Sequence, residues 1–115
     1  SSATAALPFI PVPGDHGHRH VWAGTLMAGP DTMIVVVVNK RHEIAYNTVG
    51  HHPVHLVTRD VDLAVPVPPH FSDCTVQEVR QGQFVEAAAC IENARLRLSL
   101  DTVDTARAFV VTAAR

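Results

Sequence analysis

The stretch Ala94-Arg95-Leu96-Arg97-Leu98-Ser99-Leu100-Asp101 decides the fold class. Ala94, Leu96, Leu98 and Leu100 take every second position, and Arg95, Arg97, Ser99 and Asp101 fill the places between. Successive side chains of a strand point to opposite faces, so this period of two describes a strand with one apolar and one solvated face. Downstream, Asp101-Thr102-Val103-Asp104 reads as a turn and residues 106–112 as a last strand. Upstream lies the turn Glu92-Asn93, preceded by the alanine-rich stretch 85–94, the best competing helix. No capping residue separates that stretch from the strand at Leu96, so it reads as strand too.

The same punctuation continues toward the N-terminus. Residues 74–79 and 84–91 flank Arg80-Gln81-Gly82-Gln83, a hairpin signal because glycine tolerates positive φ. Val67-Pro68-Pro69-His70 breaks the ladder after residues 61–67, in which Val61, Leu63, Val65 and Val67 alternate with Asp62, Ala64 and Pro66. Residues 53–58 form a further strand, and 45–48 a short one before a polar corner at His51-His52-Pro53. Residues 32–39 contain Met33-Ile34-Val35-Val36-Val37-Val38, apolar at every position. Such a run fits a strand covered on both faces, or a central strand whose outer face meets another domain. Residues 20–28 form the first strand, closed by Gly29-Pro30-Asp31. Residues 1–13, with Pro8, Pro11 and Pro13, read as an extended lead-in or linker, and 14–115 as the domain. The expectation is an all-β, antiparallel β-sandwich of the immunoglobulin-like kind with about eight strands, its core lined by Val35, Val37, Leu63, Leu96, Leu98 and Val110.

The bulk composition narrows the partners. A chain of 115 residues, 47% apolar and 17% charged, has the profile of one globular domain. A net charge of −2 gives no footprint for nucleic acid, and no apolar run reaches the length of a membrane span. Eight histidines would carry that charge to +6 if all were protonated.

The chemistry-bearing residues are few. His16, His18 and His20 alternate, so an extended backbone sends all three to one face, where a ligand from a neighbouring strand would complete a zinc or copper site. A polar strand entrance or solvated loop near Gly14 and Gly17 is the plainer account, and the three histidines are expected to be partly exposed and metal-free. Serine occurs only as Ser1, Ser2, Ser72 and Ser99, none in a nucleophile-elbow context. Most carboxylates sit in or beside turns, as solvated groups do. No catalytic residue and no cofactor is expected. Trp22 and Tyr46 are the candidate rings for stacking on a sugar, against the ordinary fate of a buried aromatic in a chain with only 5% of them. Cys74 and Cys90 are a candidate disulfide. A three-residue loop Gln81-Gly82-Gln83 would pair Arg80 with Phe84 and set the two cysteines opposite each other. The same register sets Glu78 against Glu86, a like-charge pair, and a two-residue loop would send the cysteines to opposite faces.

Val21-Trp22-Ala23-Gly24-Thr25-Leu26 and the apolar strand ending in Asn39 resemble the C-terminal β-sandwich domains appended to bacterial glycoside hydrolases. Leu63-Ala64-Val65-Pro66-Val67-Pro68-Pro69 and Val76-Gln77-Glu78-Val79 are similar to their strand and proline corner. Residues 94–100 and 105–111 resemble their final hairpin. The histidine content and the cysteine pair depart from that pattern. The resemblance implies a non-catalytic accessory module, secreted or periplasmic, whose partner is the catalytic domain of the same polypeptide or a polysaccharide. Two other readings stand beside it: a histidine-rich metal- or pH-responsive binding domain, and a structural adhesion or interaction domain.

Overall fold

A computed structural model describes residues 10–11, 20–40, 42–47, 50–55 and 57–114, with 10–11, 42–47 and 50–55 by their backbone alone. The strands are β1 (Ile10–Pro11), β2 (Val21–Met27), β3 (Thr32–Asn39), β4 (His42–Asn47), β5 (Gly50–His55), β6 (Thr58–Pro66), β7 (Cys74–Arg80), β8 (Gln83–Glu86), β9 (Ala89–Glu92), β10 (Arg95–Val103) and β11 (Ala106–Ala113). One sheet has the order β1-β2-β3-β11-β7-β8, a second β6-β10-β9, and β4 pairs with β5 as a separate ribbon. All pairings are antiparallel. The chain is an all-β sandwich. The described strands outnumber those expected because 84–91 breaks at Ala87-Ala88 and changes sheets, and because Ile10–Pro11, within the expected lead-in, pairs with β2.

The core lies between the six-stranded and three-stranded sheets. Val21, Val35, Val37, Met33, Phe109 and Val111 from one sheet meet Val61, Leu63, Val65, Leu96, Leu98 and Leu100 from the other. Phe71, on the 3-10 turn Pro69–Phe71 that follows Pro68, is fully buried with them. Five of the six expected core residues are buried, but Val110 is half-buried on the opposite face while Phe109 and Val111 point inward. Ala108-Phe109-Val110-Val111 is apolar in both parities, so the run itself does not say which set faces the core.

One end of the core is closed by a polar knot. Asn39 ends β3 on the inward parity and is 3% exposed. Its Nδ2 donates to the carbonyls of Val103 at 2.8 Å and Asp104 at 3.0 Å. Its Oδ1 accepts from the Thr58 hydroxyl at 3.4 Å, and its backbone N–H donates to Thr105 at 2.8 Å. Thr58 and Val103 reach inward there only because both partner strands skip a step. Val61 and Leu100 pair inward, Asp60 and Asp101 drop out of register, and Thr58 and Val103 pair inward three residues on. Asp60 takes a positive φ of 54° at that step.

Asp101, Thr102 and Val103, read as a turn, end β10 as strand. Two further turns correct the sequence reading. Gln81 and Gly82 both have positive φ, 50° and 77°, which makes a two-residue loop closed by Arg80 and Gln83. The expected three-residue loop is therefore one residue too long. Glu78 pairs with Val85, and Glu86 pairs with Gln77. The second correction is the corner at His51-His52-Pro53, which is strand: Pro53 pairs with Ile44 in β5. Proline is tolerated there because each strand of a two-stranded ribbon has a free side, so its missing N–H can fall outside the ladder.

Asn93 and Ala94 form another two-residue turn, with φ of 53° and 59°. Asparagine accepts this region readily, whereas alanine pays for its Cβ there. Ala94→Gly is expected to stabilise the domain by about 0.5–1 kcal/mol, the local strain relieved less the added freedom of the unfolded chain. Urea unfolding reads it directly, and a lower midpoint for the variant would refute the strain.

Candidate docking face and the clefts beside it

The two outer faces of the sandwich differ in kind. On the three-stranded sheet Asp62, Arg95, Arg97, Ser99 and Asp101 are exposed, as the alternation predicted, and so are the consecutive Arg59 and Asp60. Ser99 donates to Asp62 at 2.7 Å and Arg97 lies 3.5 Å from Glu92. That is a solvated surface.

On the six-stranded sheet the outward parity is apolar. One row runs straight across five strands: Gly24, Val36, Ala108, Val79 and Phe84 are consecutive cross-strand partners. The next row is Leu26, Ile34, Val110, Gln77 and Glu86, and on the other side Trp22, Val38 and Ala106 form a third. Val79 is 40% and Phe84 63% exposed, and Trp22, Leu26, Ile34, Val36, Val38 and Val110 are half-buried. Among the described residues of these rows the charge is Glu86, at the rim. The run 33–38 is therefore covered on one face only; its alternate members Ile34, Val36 and Val38 build this platform.

Trp22, one of the candidate stacking rings, stands on this platform with the Lys40 ammonium 5.4 Å from its ring centre. The side chain of Tyr46 lies outside the described residues, as do His16 and His18. His20 is half-buried, with its carbonyl accepting from the Lys40 N–H at 2.8 Å. Among the described residues no group of three His, Cys, Asp or Glu side chains is placed to hold a metal ion.

A cleft of about 240 Å³ opens between β8 and β10, where the wider sheet overhangs the narrower. Its floor holds Glu78, which the sequence suggested was a solvated carboxylate and which is only 6% exposed. Arg107 binds it side-on: Nε donates to Oε2 at 2.7 Å and Nη2 to Oε1 at 2.5 Å. Arg80 Nε donates to the same Oε1 at 3.0 Å, and Arg107 Nη1 also reaches the Thr102 carbonyl at 3.1 Å. The Arg107 hydrogen bonds hold the Glu78 carboxyl below the usual carboxylate range, against the opposing effect of burial. Glycoside hydrolysis needs a second carboxyl group kept protonated as acid. A carboxylate gripped by two guanidinium groups is the opposite of such an acid, and serves as an anchor between β7 and β11. The signal for it was parity: Glu78 shares a face with Val76, and Arg107 with Phe109.

Cys74 and Cys90 are both free thiols. They border one cleft of about 110 Å³ together with Ile91 and Leu96, but belong to different sheets. Cys74 pairs with buried Ala113 on the inward parity, whereas Cys90 pairs with exposed Arg97 on the outward parity of the other sheet. The two-residue loop and the break at Ala87-Ala88 remove the pairing on which the candidate disulfide rested. Burial, then the neighbouring Asp73 charge, pushes the Cys74 thiol above its ordinary value.

No family model and no curated protein matches the chain. Among solved structures it is similar to the α-L-fucosidase isoenzyme 2 from Paenibacillus thiaminolyticus, with a TM-score of 0.62 and 9% identity. The similarity covers 97% of this chain and 15% of that one. At that identity the likeness shows the fold: this sandwich has the shape of one portion of a much longer glycoside hydrolase chain.

Proposed function

We propose that this domain is a non-catalytic accessory module of a carbohydrate-active enzyme, and that it packs on the catalytic domain through the outer face of its six-stranded sheet. The observation that carries the reading is the contrast between the two outer faces. A contiguous apolar platform on one side of a small sandwich, opposite a charged one, marks an interaction surface. The likeness to a portion of a fucosidase supports a glycoside hydrolase as the context. Glycan binding through Trp22 is the weaker alternative, because a lysine ammonium already sits over the ring that a pyranose would stack on.

The test is association of the separately produced domain with the catalytic domain of its own polypeptide, followed by calorimetry. Binding should be lost in Val36→Lys, which places a charge at the centre of the platform, with little change in melting temperature because Val36 is not in the core. Absence of binding by the native domain would overturn the packing mode. Hydrolysis of any glycoside by the isolated 115 residues would overturn the non-catalytic assignment.

A further inference from the structure

β8 ends the six-stranded sheet, and all four of its residues, Gln83 to Glu86, are exposed. Its backbone polarity follows from the turn. Arg80 and Gln83 close a two-residue loop, and the Ala87 N–H donates to the Val76 carbonyl at 3.0 Å. Hydrogen-bonded pairs alternate along an antiparallel ladder, so Gln83, Val85 and Ala87 direct their N–H and C=O groups toward β7. Phe84 and Glu86 direct theirs away from it, along the sheet edge. Three of the four large exposed apolar side chains among the described residues belong to this hairpin: Val79, Phe84 and Val85. Phe84 and Val79 share the outer face, whereas Val85, 42% exposed, is on the inner one. Of the usual edge guards, Gln83-Phe84-Val85-Glu86 has a short length and the one charge of Glu86, but no lysine, proline or bulge.

We propose that β8 is a self-pairing edge, and that a second copy of this chain adds its own β8 antiparallel to it. The edge is complementary to itself. A twofold axis through Val85 sets the outward N–H and C=O of Phe84 against those of Glu86 in the second copy, and the reverse, making four hydrogen bonds. The two Val85 side chains then face each other on the inner side. The two Phe84 rings become diagonal neighbours on the outer side, within the reach of aromatic side chains. A C2 pairing of this kind closes on itself and does not propagate into fibres. Its area is that of one short strand, so the dimer is weak and concentration-dependent. The pairing shares Phe84 and Glu86 with the rim of the platform but leaves Trp22, Val36 and Val38 uncovered, and its test reads self-association with no catalytic domain present.

Sedimentation equilibrium on the full chain from about 10 μM to about 1 mM tests it, with amide hydrogen exchange at both ends of that range. The expected result is a monomer–dimer equilibrium in which the Phe84 and Glu86 amides exchange several-fold more slowly at high concentration. Glu86→Pro removes an outward donor without touching the β7 ladder, and should weaken dimerisation at least tenfold while leaving the circular dichroism spectrum unchanged. Phe84→Lys, which sets a charge on the edge in place of the ring and keeps the backbone intact, should weaken it as well and stands in if the proline variant does not fold. A monomer throughout the range overturns the proposal. So does a dimer that both variants leave intact, or one in which the Phe84 and Glu86 amides exchange at unchanged rates.

Discussion

Replacing Leu98 by alanine is expected to lower the unfolding free energy by about 2–5 kcal/mol. Leu98 is 1% exposed, pairs with buried Leu63 on β6 and with exposed Ala89 on β9, and lies in the middle of the narrower sheet. Truncation removes the transfer free energy of the lost methyl groups and leaves a cavity that the flanking strands, tied by their ladders, close only in part. Urea denaturation with a shared slope for both proteins measures the difference. A change under about 0.5 kcal/mol would mean that the inward parity of β10 has been assigned to the wrong face.

The second large effect is at the buried ion pair. Arg107→Ala should cost about 3 kcal/mol, the low end of what breaking a buried pair costs, because Arg80 still reaches Glu78. A loss below about 1 kcal/mol would show that water replaces the guanidinium in the cleft without penalty. The pair also sets an acid limb. Glu78 has its carboxyl lowered from the ordinary 4.5, by Arg107 first. A lowered carboxyl contributes stability that is complete above that ordinary value and is lost as the pH falls through the folded-state value. Glu78→Gln should therefore lose most relative to the native protein at neutral pH, and the gap should narrow steadily below about pH 4.5. A gap that stays constant into that range would exclude the carboxylate as its source.

The strands were legible wherever one face is polar. Residues 95–100 and 61–66 alternate so cleanly that both their state and their inward side chains follow from period two, whereas Ala94, on the same apolar parity, lies exposed in the turn. Residues 32–39 were legible as a strand but not as to which face is covered, and Val110 was placed on the wrong side for the same reason: valine is at home in the core and on a docking face alike. The hairpin at Gln81-Gly82 was seen, yet its length turned on the positive φ of a glutamine, which composition does not announce. That single residue sets Glu78 opposite Val85 instead of Glu86 and, with the break at Ala87-Ala88, separates Cys74 from Cys90, whereas the Arg107 pair follows from the β7–β11 ladder. The apolar outer face was half visible, as an apolar run too long for one buried side. Its extent over five strands was not, because cross-strand rows exist only once the register is known.

The step at Asp60 and Asp101 bears on how the chain can change over time. Both strands lose phase at the same level of the ladder, so the Thr58 and Val103 side chains still arrive together beneath Asn39. Deleting a residue from one strand alone turns that strand's end outward and empties half of the knot, whereas matched deletions at both positions restore a straight ladder of uniform period. Deleting Asp60 and Asp101 together should therefore keep Thr58 and Val103 beneath Asn39, whereas deleting either alone should not, although 41 positions separate them.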